Sequence, residues 1–374
     1  MDTYFGQSVP KLGFGLMRLP RKAGFTDIEQ TKAMVDLFLA AGFTYFDTAY
    51  VYLGSEKAIK AALVDRYPRE SYTLATKINA FMMAPTESAA KNQFYTSLER
   101  TGAGYFDYYL LHSFKENNYQ KYDKFHLWDY VAEQKQKGLV KHMGFSFHGK
   151  PLLLEQLLTA HPEVDFIQLQ LNYADWENPK VASRENYEVA RRHGVSIVVM
   201  EPVKGGSLAN PPKSVRELLK AYAPERSYAS WAIRFAASLE GIITVLSGMS
   251  DLAQMQDNIS FMKDFRPLDA QEQAVIRQAM ALLRESDLIP CTACGYCTEG
   301  CPKSIRIPEI FAAVNQQRGN GQIEAAAAAY AAATADGARA DDCIRCGQCE
   351  RACPQGLPII QRLSEAAALF KADK

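Results

Sequence analysis

Apolar residues gather into short runs along the first two thirds of the chain, and repeats of helical period fill the intervals. The runs are LGFGL (12–16), YFDTA (45–49), YTLATKI (72–78), FDYYLLH (106–112), HMGFSF (142–147), FIQLQL (166–171), SIVVM (196–200) and ITVLS (243–247). Several are continuously apolar rather than alternating, which predicts strands covered on both faces. Amphipathic stretches such as 26–42, 55–66, 87–102 and 186–194 lie between them, and several stop at a glycine, a common helix end. Eight strand–helix units over roughly 250 residues predict an α/β fold of the TIM-barrel type, (β/α)8. A doubly wound open sheet is the alternative, but the glycine-rich phosphate loop often found after its first strand is missing.

The pattern changes after residue 265. Residues 270–287 read as one further helix. At 1.5 Å per residue its 18 residues span about 27 Å, roughly a barrel's height. Barrel helices run antiparallel to their strands, so this helix is expected to lead back toward the strands' C-terminal end. The alanine-rich run 322–340 reads as a spacer helix. The expected division is a barrel over 1–265, a connecting helix over 266–287 and a small, mainly helical module over 288–374.

Composition narrows the function. The chain has 374 residues with 48% hydrophobic content, and Lys+Arg and Asp+Glu balance at 42 each. No basic stripe points to nucleic acid. No apolar run approaches the roughly 20 residues that cross a bilayer. The N-terminus lacks a charged region followed by an apolar one, so a cytoplasmic protein without membrane contact is expected.

Cysteine usage changes the picture most. Residues 1–290 hold none. Cys291, Cys294, Cys297 and Cys301 follow the spacing C-x2-C-x2-C-x3-C and precede Pro302. Cys343, Cys346, Cys349 and Cys353 repeat it, followed by Pro354. In a reducing compartment, clustered cysteines are metal ligands sooner than disulfides. This spacing is the bacterial run for four-iron clusters, in which the fourth cysteine serves the other cluster. Two [4Fe-4S] clusters are therefore expected, one on Cys291, Cys294, Cys297 and Cys353, the other on Cys343, Cys346, Cys349 and Cys301. Structural zinc is the alternative, but zinc ribbons use paired C-x2-C with a longer gap. The stretch 288–358 resembles two-cluster bacterial-type ferredoxins, with a long helical insert between its halves.

A TIM barrel places its chemistry at the C-terminal ends of its strands. Strand 2 ends at Asp47, with Tyr50 and Tyr52 just beyond. Strand 3 ends near Lys77 and strand 4 near His112. The four types form a coherent set. An ammonium lowers the pKa of a neighbouring phenol, Asp47 would hold Lys77, and Tyr52 could then protonate a carbonyl oxygen as hydride reaches the carbon. His112 would orient that carbonyl.

These residues, with GFGLMRLP, FDTAYVY followed by GSE, ATKI, YYLLH, GFSFHG and SGMSDLAQMQDN, resemble the aldo-keto reductases over about residues 8–265. The resemblance implies a catalytic tetrad of Asp47, Tyr52, Lys77 and His112 with tyrosine as acid. It implies NAD(P)H as cofactor, bound without a glycine-rich loop. Ser146 and Gln168 would contact the carboxamide, and Gln254 and Asn258 the adenine half. The sequence departs from the family pattern at Phe147, often Asn, and at Met200, often an aromatic. Gly248 and Gln254 stand where NADP-preferring members place basic residues. Phe114, Trp128, His148, Tyr173 and Trp176 are candidates either for substrate lining or for packing.

Three functions follow. In the first, an iron–sulfur oxidoreductase acts on a small carbonyl or alcohol, its clusters relaying electrons between the barrel and a carrier such as ferredoxin. Hydride brings two electrons and a cluster takes one, and no flavin fingerprint supplies a converter. In the second, a plain NAD(P)H-dependent carbonyl reductase carries structural or redox-sensing clusters. In the third, an electron-transfer protein uses a non-catalytic barrel as a scaffold.

Overall fold

The computed structural model describes residues 3–371, which divide into two compact units. The first comprises residues 3–177, 182–202 and 233–268, and the second 178–181, 203–232 and 269–371. The expected barrel is present in the first unit. Its strands are β1 (Leu12–Gly15), β2 (Tyr45–Asp47), β3 (Thr73–Ile78), β4 (Phe106–Phe114), β5 (Val140–Phe147), β6 (Phe166–Gln170), β7 (Ser196–Met200) and β8 (Ile242–Ser247). Each pairs in parallel with the next, and β8 pairs with β1 to close the barrel.

Strand side chains alternate between the barrel interior and the surrounding helices. Tyr45, Ala75, Tyr108, Leu110, Phe166 and Val198 form one buried interior cluster. Two residues further along their strands stand Asp47, Lys77, His112 and Gln168. Register places Asp47 beside Ala75, Lys77 beside Leu110 and Gln168 beside Ser146, so the polar residues share one end. The other end is covered by a hairpin pairing Thr3–Tyr4 with Gln7–Ser8, whose Phe5 stacks on His142 at 4.3 Å. Helix starts are capped by local chemistry: Asp27, Thr86 and Asp251 each accept from a backbone N–H three residues on.

The stretch 55–66, expected as one helix, is α-helical over Ser55–Ile59 and continues as a π turn over Lys60–Val64. The spacer helix is shorter than expected. It runs Ile323–Thr334 and stops before Gly337. Helix Ala270–Arg284 starts at a capping box between Asp269 and Glu272.

The second unit is mainly helical. Helices Ile307–Asn320, Ile323–Thr334 and Ile359–Leu369 enclose a core of Ile305, Ile307, Ile310, Phe311, Val314, Tyr330, Leu357, Ile359 and Leu363. Tyr330 stacks on Phe370 at 4.5 Å, and Asn315 clamps both backbone groups of Ile289 at 2.7 and 2.8 Å. Residues 203–206 belong to this unit. Lys204 Nζ donates to Gln355 Oε1 at 3.2 Å. A Cβ on Gly205 would lie 2.3 Å from the Thr292 carbonyl oxygen, so only glycine allows this approach. Among the described residues no helix is long and apolar enough to cross a membrane.

Candidate active site and cysteine module

The loop after β2 is built to hold Tyr52. Its N–H donates to Ala49 O at 3.0 Å, and Ser55 N–H donates to Tyr52 O at 3.0 Å. Ser55 Oγ reaches Leu16 O at 2.9 Å and lies 2.7 Å from Thr48 Oγ1, which pins the loop to the end of β1. The half-buried Tyr52 ring meets His112 edge-on, with centroids 5.8 Å apart. Lys77 Nζ lies 5.1 Å from the Tyr52 ring centroid and donates to Asp47 Oδ1 at 2.5 Å and to Thr48 O at 2.7 Å. The four residues singled out from strand ends are thus in one place.

Burial dominates the electrostatics here. It pushes the Lys77 ammonium below its ordinary value and the Asp47 carboxyl above its own. The ion pair opposes both shifts, and the Gln168 side chain also favours the carboxylate. His112 is held well below its ordinary value by burial, then by the Lys77 and His148 charges, so its imidazole is neutral at pH 7.

The residues assigned to the nucleotide spread over β5, β6 and the helix after β8. Ser146 Oγ accepts from Ser113 N–H at 2.7 Å, which leaves its own proton to donate. Gln168 is buried beside Asp47. Asn258 Nδ2 donates to Ser247 Oγ at 2.7 Å, tying helix Leu252–Met262 to the end of β8. Gln254, exposed in the first turn of that helix, accepts from Ser250 N–H at 2.9 Å.

Phe114 and Trp128 are buried in an aromatic stack. Phe114 lies 4.3 Å from Tyr122 and 5.3 Å from Trp128, and Trp128 lies 3.8 Å from His161. Tyr173 is buried against Phe235 at 6.1 Å, and half-buried Trp176 meets the same ring at 5.4 Å. Phe114 and Trp128 thus serve packing. His148 is half-buried, its Nδ1 has no hydrogen-bond partner, and burial lowers its pKa to about 3.

Sequence reading missed three features. Glu56, buried, accepts from Thr76 Oγ1 at 2.9 Å and pairs with Arg100 at 3.2 Å behind the tetrad. The GSE triplet was its only sign. Asp175 accepts from Gln170 and Asn172 at 2.8 and 2.9 Å. Arg18 Cδ lies 3.5 Å from where a Gly248 Cβ would stand, and the guanidinium lies 3.6 Å from Glu201. The first turn after β1 thus puts a basic side chain beside a position where the sequence showed none.

In the second unit the two cysteine runs share one backbone. Ala293 and Arg345 are left-handed at φ 51° and 58°, and Gly295 and Gly347 at 82° and 75°. A short helix follows each, Tyr296–Glu299 and Gln348–Ala352. All eight cysteines are free of disulfides. They line two cavities, each with about 320 Å³ of empty volume including the part open to solvent. One is lined by Cys291, Cys294, Cys297 and Cys353, the other by Cys301, Cys343, Cys346 and Cys349. These are the crossed sets expected from the spacing.

The donors suit a thiolate-bound inorganic group. Ala293 N–H points at Cys291 Sγ at 3.4 Å. Burial pushes the Cys297 thiol up to about 12 and the Cys349 thiol up to about 11, so each ionises at neutral pH only against a bound cation. No three His, Cys, Asp or Glu side chains among the described residues gather as ligands of a single metal ion.

Comparison with known proteins agrees with both halves. The 4Fe-4S dicluster domain profile matches residues 290–357. An aldo-keto reductase of Strobilurus tenacellus is 32% identical over 223 residues, which cover 56% of this chain and 63% of that protein. An aldo-keto reductase of Mycolicibacterium smegmatis is 28% identical over 55% of this chain and 69% of its own length. The structure of an aldo-keto reductase from Bacillus halodurans, in its holo form, superposes with a TM-score of 0.60. It is 26% identical and covers 73% of this chain and 93% of that one. A Klebsiella pneumoniae aldo/keto reductase solved with NADP and acetate shares the fold at 18% identity and a TM-score of 0.59, over 73% of this chain and 92% of that one. The aldo/keto reductase family profile matches residues 11–281, and the chain therefore belongs to that family, an oxidoreductase whose sequence carries a 4Fe-4S dicluster domain after the barrel.

Proposed function

We propose that the barrel interconverts a small carbonyl compound and its alcohol, with Asp47, Tyr52, Lys77 and His112 as the catalytic set. The observation that carries this reading is the buried Lys77–Asp47 pair set against the Tyr52 ring, with His112 edge-on to it. When bound, reduced nicotinamide supplies the hydride to the carbonyl carbon. Tyr52 gives its phenolic proton to the carbonyl oxygen, and the alcohol forms. The Lys77 ammonium stabilises the phenolate left behind, and Asp47 keeps that ammonium charged against burial. Neutral His112 has one ring N–H to offer the carbonyl oxygen and so fixes its direction. Ser146 and Gln168 are assigned the carboxamide of the nicotinamide, and Gln254 and Asn258 the adenine half.

The second part of the reading concerns residues 288–374, taken as a module joined to the barrel of 1–265 by the segment 266–287. The two crossed cysteine sets are assigned one [4Fe-4S] cluster each. Together two such clusters exchange two electrons singly, the number a hydride carries. The module is assigned the relay of electrons between the barrel's reaction and an external carrier. The lining of both cavities by four thiols supports the cluster assignment on which the relay rests.

Tyr52→Phe tests the first part. Proton transfer by a positioned acid contributes about 10²–10⁴-fold, so carbonyl reduction should fall by that factor while NADPH, followed by its fluorescence, binds as before. Unchanged turnover would remove Tyr52 from the chemistry.

A further inference from the structure

The two cysteine sets meet solvent differently. In the set closed by Cys353, one thiol is buried and three are half-buried. In the set closed by Cys301, Cys349 is buried, Cys301 and Cys343 are half-buried, and Cys346 is exposed. The same left-handed turn also presents different side chains. In the first run it holds buried Thr292 and exposed Ala293, a methyl group. In the second it holds Arg345 and Ile344, whose side chain is 56% exposed beside the cysteine.

Three cations surround this spot. Lys303 lines the cavity with Cys301 and Cys346. Arg345 lies between Ile344 and Cys346 in the chain. Arg351 places Nη1 3.3 Å from where a Cβ on Gly347 would stand, and Gly347 lines the same cavity. All three are exposed, and none forms an ion pair among the described residues. Three acids of the second run have partners of their own. Asp342 accepts from Arg339 N–H at 2.8 Å, Asp341 pairs with Arg339 at 3.5 Å, and Glu350 accepts from Ile360 N–H at 3.0 Å. An apolar side chain held in water and three cations outside any ion pair therefore surround the exposed cysteine.

We propose that this face, Ile344 with Lys303, Arg345 and Arg351 around Cys346, docks a small acidic one-electron carrier protein. The proposal rests on the reading that Cys301, Cys343, Cys346 and Cys349 hold a cluster. One electron passes at this face: the carrier is oxidised by one electron, the cluster is reduced by one, and no proton or bond is exchanged. A small patch with complementary charge suits a transient partner, because such charge raises the rate of encounter more than the affinity. The rate should therefore fall as salt screens it.

The test uses the holoprotein with its clusters loaded, mixed anaerobically with fully reduced flavodoxin, an acidic carrier, while cluster absorbance is followed. The expected result is a second-order rate that falls steeply with salt. It drops at least tenfold in Arg345→Glu/Arg351→Glu and recovers in Arg345→Lys/Arg351→Lys. Reduced methyl viologen, a small mediator that needs no docking face, should reduce wild type and variants alike. Flavodoxin reducing the charge-reversed protein at the wild-type rate, without salt dependence, would overturn the docking face. A parallel loss of the viologen rate in the charge-reversed protein would place the defect in the cluster and overturn it as well. Viologen reducing no cluster in the wild type would overturn the cluster reading beneath it.

Discussion

Lys77 is an ammonium with almost no access to water, and Asp47 is what keeps it charged. Burying an ion is costly unless a partner compensates, and breaking such a pair from one side costs about 3–5 kcal/mol. Asp47→Ala is therefore expected to lower stability to urea by that amount. Asp47→Ala/Lys77→Met, which removes both charges, should lower it by less than the sum of the single changes. Additive losses would mean that the pair is not coupled in the folded protein.

His148 carries a pH signature. Its folded pKa, about 3, lies below the 6.5 of an unfolded histidine. Between those values the unfolded chain binds a proton that the folded one does not, so stability is full above about pH 6.5 and falls as pH drops toward 3. At pH 5 the loss is up to about 2 kcal/mol. His112 is shifted the same way by its burial and adds to the same slope. His148→Gln should narrow the stability difference between pH 7 and pH 5. An unchanged difference would mean that His148 takes up its proton in the folded state too.

At the scale of elements, what was legible depended on sequence distance. Short apolar runs marked all eight strands, several of them continuously apolar because a strand covered on both faces needs apolar residues throughout. The meeting of Asp47, Tyr52, Lys77 and His112 was legible because a parallel barrel brings every strand's C-terminal end to one side. The cysteine sets were legible because thiolate spacing is local. The π turn at Lys60–Val64 was not, since its residues alone read as ordinary helix. Neither was Lys204 against Gln355, a contact between residues 151 positions apart. The aromatic candidates went to packing because Phe114 and Trp128 sit where strand and helix rings already interlock.

The crossed sets make an element-scale prediction. Cys353 lies in the second run but lines the cavity of the first. Cys353→Ser should therefore disturb the same cluster signal as Cys291→Ser, and Cys301→Ser the same signal as Cys343→Ser. Electron paramagnetic resonance of the reduced proteins reads this directly. Matching signals for Cys353→Ser and Cys343→Ser would mean that each run holds its own cluster.

At the scale of the whole molecule, an aldo-keto reductase barrel and a 4Fe-4S dicluster domain share one chain. The central claim is that the two exchange electrons. The most direct measurement is an anaerobic titration. The protein is purified without oxygen, its iron and sulfide are counted, and its paramagnetic resonance is followed as NADPH or NADH is added. The account predicts about eight irons per chain, two clusters of four, and a reduced-cluster signal that grows with the nucleotide. Eight irons with no signal from either nucleotide, in the presence of a carbonyl or alcohol substrate, would contradict it.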